Sequence, residues 1–232
     1  MSFKYKIIKR PRRRTVSISV KPDCSVRLLV PVNLPDKKII ELIKQKSSWV
    51  ESKIAYFQEI QKRHQEKKYI SGESFKYLGR SYRLKIVWND ENKDVKLMNG
   101  EFNIPVPSGL QEGEQTLLII RRLSTWYQKH ALIRLEEKVR HFSAEMGISP
   151  ISVGVKGYKS RWGTCHLDGR IYFNWRIIIA PHSVVDYLVV HELCHLVHHN
   201  HSKRYWKQVE TILPDYSERE EWLKLNGREL YI

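Results

Sequence analysis

The chain has 232 residues, enough for one domain with a large attachment or for two small ones, and its 41% hydrophobic content with seven Trp and twelve Tyr marks a folded protein and excludes wholesale disorder. The opening MSFKYKIIKRPRRR lacks the apolar run of a signal peptide and no later segment is apolar for the length of a bilayer, so a cytoplasmic protein without a membrane partner is expected. The net charge of +16 sits mostly in the first third, where residues 1–70 hold 18 Lys plus Arg against 6 Asp plus Glu.

The densest part of that charge is Lys9, Arg10, Arg12, Arg13 and Arg14. Such a run either attracts polyanions by releasing their counterions or forms a solvated basic face. TVSISV (15–20) then alternates strictly, and VRLLV (26–30) follows after the turn-like KPDCS, which predicts a β-hairpin. Asp36 caps a helix running to about Gln61, with Ile39, Ile40, Ile43, Val50, Ile54 and Phe57 at near-helical spacing.

From about 70 to 106 short strands are expected. FKYLGRSYRLKIVW turns at Gly79-Arg80, and VKLMNGEFNIPV carries the hairpin signal Asn99-Gly100. Pro105, Pro107, Ser108 and Gly109 place a join near 107–113. Residues 114–145 form the longest helical pattern, with Leu117, Ile120, Leu123, Ser124, Tyr127, Ala131, Ile133 or Arg134, Leu135 and Phe142 near one stripe, ended by Gly147. Three short strands are expected around 151–155, 159–165 and 170–177, with a turn at Asp168-Gly169. Pro181 opens a helix through residues 191–195, and Ser202 caps another that Pro214 stops. The fold class expected is α+β: residues 1–110 as a basic β-rich region with one long helix, and residues 111–232 as a second domain of long helix, small sheet and a helix through residues 191–195.

The chemistry lies in HELCHLVHHNH (191–201). His191 and His195 are four residues apart, which puts both rings on one face of a helix about 6 Å apart along its axis. Glu192 beside them can hold a water on a shared metal ion and take its proton, as in H-E-x-x-H zinc hydrolases. His198 is about 10.5 Å along the axis from His191, too far to share an ion on a straight helix. A third ligand therefore requires the chain to turn. His201 is favoured because Asn200 accepts a left-handed conformation, with Glu210 and His198 or His199 as alternatives. Three imidazoles suit zinc but also bind other divalent ions.

HELCHLVHHNHSKRYW, preceded by NWRIIIAPHSVVDYLVV and by SRWGTC, resembles the YgjP-like metallopeptidase domain family, small zincins distantly similar to the SprT-like proteases. The resemblance is close over residues 155–215. It implies zinc on His191, His195 and His201 and Glu192 as general base. It also implies peptidase activity, although some relatives are described as pyrophosphatases acting on UTP.

A donor for the developing oxyanion is expected from Arg161, then from Tyr172 or Tyr205. A structural ion pair of Arg161 with Asp186 is the competing role. Trp162 and Trp175 read as core residues, and Cys194 as a packing residue away from the ligand face. Cys165 lies near the expected cleft. His64, His130, His141, His166 and His182 lack ligand spacing. Three functions follow: a peptidase in which a strand near RIYFNWRI offers its edge to an extended polypeptide, a nucleoside triphosphate (UTP) pyrophosphatase using the same metal, and a hydrolase brought to nucleic acid through Arg10, Arg12, Arg13 and Arg14. Nothing in the sequence bears on oligomeric state.

Overall fold

The computed structural model describes residues 3–21, 23–63, 67–91 and 94–232, leaving His64 outside the described residues. The chain forms two compact units, Met1–Glu66 and Lys67–Ile232. Among the described residues no helix is long and apolar enough to cross a membrane.

In the first unit β2 (Ser17–Val20) and β3 (Val26–Pro31) form the expected hairpin, and β1 (Tyr5–Arg10) adds in parallel on the other side of β3. β1 is illegible in the sequence because its lysines interrupt the apolar alternation that identifies a strand. α1 (Asp36–Arg63) begins at Asp36, whose carboxylate pairs with Lys9. Val26, Leu28 and Val30 from β3 meet Ile39, Ile43 and Val50 from α1 in a small core.

The second unit opens with β4 (Ser74–Tyr77), β5 (Arg80–Trp88), β6 (Lys96–Met98) and β7 (Glu101–Val106), ordered β4-β5-β7-β6 with β5 and β7 parallel. The Asn99-Gly100 turn has φ of 53° and 78°, the left-handed pair that a two-residue hairpin demands. α2 (Glu112–Met146) ends at Gly147 with φ 66°. Its buried side includes Ile119, Leu123, Trp126, Tyr127, Val139 and Phe142, whereas Leu117 is 66% exposed. The stripe therefore lies partly round from the one expected, because apolar residues at its start occupy more than one side.

β8 (Ser152–Lys156), β9 (Gly163–Cys165) and β10 (Arg170–Asn174) form a second sheet with β10 in the centre. A 3-10 turn (Trp175–Ile179) leads to α3 (His182–Cys194), α4 (Lys203–Ile212) and α5 (Tyr216–Asn226). Pro181 precedes α3, and the Ser202 hydroxyl accepts from Tyr205 N at the start of α4, as the sequence implies.

Both sheets, α2 and α3 share one core that runs from Phe75 and Phe102 to Val190 and Leu193. The join expected near 107–113 thus falls inside the second unit. Residues 67–106 cannot close a core without α2, so the Pro and Gly residues after β7 mark a turn within one folded body. The β4–β5 turn also braces the start of α3. Leu78 N donates to Ile178 O at 2.7 Å, and a Cβ on Gly79 would lie 2.9 Å from Pro181 Cα.

Candidate metal centre

α3 is packed nearly all round, and its last turn delivers His191 and Glu192 to the surface of the core. His195 caps the helix with φ −70° and ψ −15°, and His198 N then donates to Cys194 O at 2.9 Å. The chain folds back through these tight turns. Asn200 is absent from the positive-φ residues, so the left-handed turn expected there is not used. The helix has already ended at Cys194, six residues before it would be needed.

His201 returns to within 5.1 Å of the His191 ring centre and 4.7 Å of the His195 ring centre. One ligand nitrogen from each of the three lies within 4.8 Å of the others. Two nitrogens bound tetrahedrally to zinc at 2.0 to 2.1 Å stand about 3.3 Å apart. His191 Nε2 and His201 Nε2 are 3.3 Å apart. The three residues therefore fit a single divalent ion.

The Nδ1 atoms of His195 and His191 have partners of their own. His195 Nδ1 is 2.9 Å from His198 O, and because a carbonyl only accepts, Nδ1 carries the hydrogen and Nε2 keeps its lone pair. His191 Nδ1 lies 3.4 Å from the Tyr187 hydroxyl. Burial, with His195 and His201 adding repulsion, pulls the His191 pKa down to about 3. Burial also lowers that of His195. For His191 and His195 burial thus favours neutral imidazole, the form that ligates a metal.

Glu192 is 4% exposed, and burial pushes its carboxyl up to about 8 while the Arg161 charge acts against that rise. It fits there because residue 163 is glycine: a Cβ at that position would lie 2.3 Å from Glu192 Oε1. The wall beside the carboxylate is thus bare backbone of β9. On that wall a cleft of about 310 Å³ runs from Gly163, Thr164, Cys165 and Leu167 to His191, His195, His199 and His201. A second cleft of about 300 Å³ opens on the other side of Glu192, lined by Arg161, Trp162, Tyr187, Leu223 and their neighbours.

Arg161 is exposed at the mouth of the second cleft, and no ion pair engages it among the described residues. Asp186, the expected competitor, pairs instead with Lys138. Tyr172 does not join the site. Register places it beside Thr164, on the face opposite to Gly163 and Cys165, and its ring lies against Gly154 under Lys156. Tyr205 is fully buried, and its hydroxyl donates to His191 O at 3.1 Å, beneath the ring cluster. Glu210 pairs with Lys207 on the exposed side of α4, and His198 takes part through its carbonyl. Cys194 is wholly buried, Trp175 is core, and Trp162 is half-buried with one side on the cleft.

Two contributors escape the sequence reading. Gly163 lies within SRWGTC, but that segment gives no sign that the glycine makes room for Glu192. α5 lies beyond the Pro214 stop, although SEREEWLKLN is rich in helix formers and signals a helix. From it Glu220, Leu223 and Lys224 complete the second cleft.

A family model described as YgjP-like, metallopeptidase domain, matches residues 14–226. The chain belongs to that family. It is accordingly a metal-dependent hydrolase. Among solved structures, the metallopeptidase zymogen abylysin of Pyrococcus abyssi is similar over 40% of this chain and 93% of its own, with 21% identity and a TM-score of 0.37. No curated protein matches the chain.

Proposed function

We propose that the protein is a zinc peptidase that cleaves an extended polypeptide laid along β9. The observation that carries this reading is the free edge of β9 beside the three-histidine cluster. The strand expected to offer its edge, RIYFNWRI, is paired on both sides as β10, whereas among the described residues no strand pairs with the outer edge of β9. A substrate strand added there would meet backbone donors and acceptors and lie along the cleft that Glu192 and the histidines line.

His191, His195 and His201 would hold the ion through Nε2. When bound, zinc supplies Lewis acidity and makes its water a far stronger acid. Glu192 takes the proton from the attacking water and can return it to the leaving amine, a task for which a buried, basic carboxylate suits. Arg161, which lines the second cleft beside Glu192, is the cation we assign to the negative charge developing on the attacked carbonyl. The bare backbone of Gly163 lets the substrate chain approach the carboxylate.

A nucleoside triphosphate pyrophosphatase is the second reading, supported by Arg161, an exposed cation on the cleft beside Glu192 that no ion pair engages among the described residues. One experiment separates them. The metal-loaded protein and Glu192→Gln, at equal zinc content, are given a broad peptide library and a nucleotide panel including UTP. The peptidase reading expects peptide cleavage in the wild type alone and fails if only pyrophosphate appears, or if neither protein acts.

A further inference from the structure

The N-terminal unit presents a sheet face that α1 does not cover. β3 turns Val26, Leu28 and Val30 toward α1, so Arg27 and Leu29 between them point the other way. Register extends that face across the sheet. Lys6 lies beside Arg27 and Ile8 beside Leu29 on β1, with Ser19 and Ser17 opposite them on β2. Arg10 follows two residues after Ile8. Arg13 reaches back to donate to Thr15 O at 2.7 Å and to the Ser17 hydroxyl at 2.8 Å, which fixes a fourth cation at this face.

Lys6, Arg10 and Arg27 are exposed, and no carboxylate pairs with any of the four among the described residues. The segregation of charge is what makes the face unusual. Residues 1–35 contain nine Lys plus Arg and a single acidic residue, Asp23. Its carboxylate is held at the β2–β3 turn by Ser25 N and Oγ, at 2.9 and 2.6 Å. Asp36 lies on the α1 side, paired with Lys9, which shares its face with Val30.

We infer that this sheet face binds the phosphate backbone of a nucleic-acid duplex by charge, without reading its sequence. Alternate residues along a strand are about 6.6 Å apart and neighbouring strands about 4.8 Å, so the cations form a lattice at the scale on which a duplex presents phosphates. A single strand would need aromatic rings to stack its bases. Phe3 and Tyr5 pack toward the core and the face itself has none. A lipid surface would need a protruding apolar residue, and Ile8 and Leu29 are half-buried. The inference does not depend on which bond the hydrolase cleaves.

The test uses the full chain and a fluorescent 20-base-pair duplex of arbitrary sequence, in DNA and RNA arms, with anisotropy read from 50 to 300 mM KCl. Four phosphate contacts give a slope of log K against log salt of about −3.6, or roughly 150-fold weaker binding between 50 and 200 mM. Replacing Lys6→Gln and Arg27→Gln together should flatten the slope by about two and weaken every duplex alike. Both side chains are exposed, so circular dichroism and hydrolase activity should stay at the wild-type level. A slope shallower than about −1, a slope unchanged in the double variant, or tighter binding to poly(dT) or to anionic vesicles than to the duplex would overturn the inference.

Discussion

Gly163→Ala tests the site through one added methyl group. The Cβ would stand 2.3 Å from Glu192 Oε1, 2.6 Å from Cδ and 2.7 Å from Cγ. Restoring ordinary contact moves the carboxylate by about 1 Å, since 3.4 Å is the near limit of normal packing. Glu192 is 4% exposed, so it cannot swing into solvent as a surface glutamate would. The φ of Gly163 is not positive, so alanine imposes no backbone strain and the perturbation stays at the carboxylate. A displacement of about 1 Å at a reacting group costs on the order of 10²-fold in rate. The overpacking itself costs about 1 to 3 kcal/mol of stability. The assay is peptide hydrolysis by the zinc-loaded variant, with kcat and KM resolved and zinc content measured. A fall in kcat at full zinc occupancy is expected. Activity within threefold of wild type would refute this account of Glu192, and a change confined to KM would mean the methyl obstructs substrate instead.

The remaining predictions concern the ligands, their supports and the domain boundary. Glu192→Gln should keep zinc at full stoichiometry and lower kcat by roughly 10²- to 10⁴-fold, and loss of metal would show that the residue is a ligand instead of a base. His201→Ala should lose zinc on gel filtration while His199→Ala and Glu210→Ala retain it, as measured by elemental analysis; retention in His201→Ala would remove it from the ligand set. Tyr205→Phe leaves His191 O without its donor, costing about 1 to 3 kcal/mol and lowering Tm by roughly 2 to 10 °C with kcat changed little. A large fall in kcat at unchanged Tm would instead return Tyr205 to the chemistry. Residues 67–232 expressed alone should fold and bind zinc, whereas 111–232 should be insoluble, because the latter lacks the strands whose Phe75, Leu84 and Phe102 complete the core.

What the sequence discloses follows the range of the interactions involved. The helix period alone places His191 and His195 together, and a six-residue interval to His201 is enough to require a turn. How the chain turns is not legible, because it depends on α3 stopping at Cys194, which no glycine or proline announces. Asn200 is then released from the conformation that its residue type suggested. Gly163 and α5 matter through contacts with residues far away in sequence, so periodicity carries no trace of them. Tyr172 and Tyr205 illustrate the same limit: Tyr172 lies on the strand paired with β9 and Tyr205 four residues after His201, yet strand register and burial aim one away and put the other beneath. The hairpins at 74–88 and 96–106 were readable as elements, but their membership in the hydrolase core is a tertiary fact.

The end of α3 at its second histidine has a consequence for the thermodynamics of metal loading. His191, His195 and His201 span only eleven residues, so an ion that joins them closes a short loop. The chain entropy removed from the unfolded ensemble by closing a loop grows only with the logarithm of its length, so this short closure is worth about 3 kcal/mol, not far below a long one. Binding to the folded chain alone adds its free energy to stability against global unfolding. Chelation should therefore lower the melting temperature of the zinc-loaded protein and also loosen residues 196–202, seen as faster amide exchange there. An ion held by these three histidines would act as a staple across the end of α3.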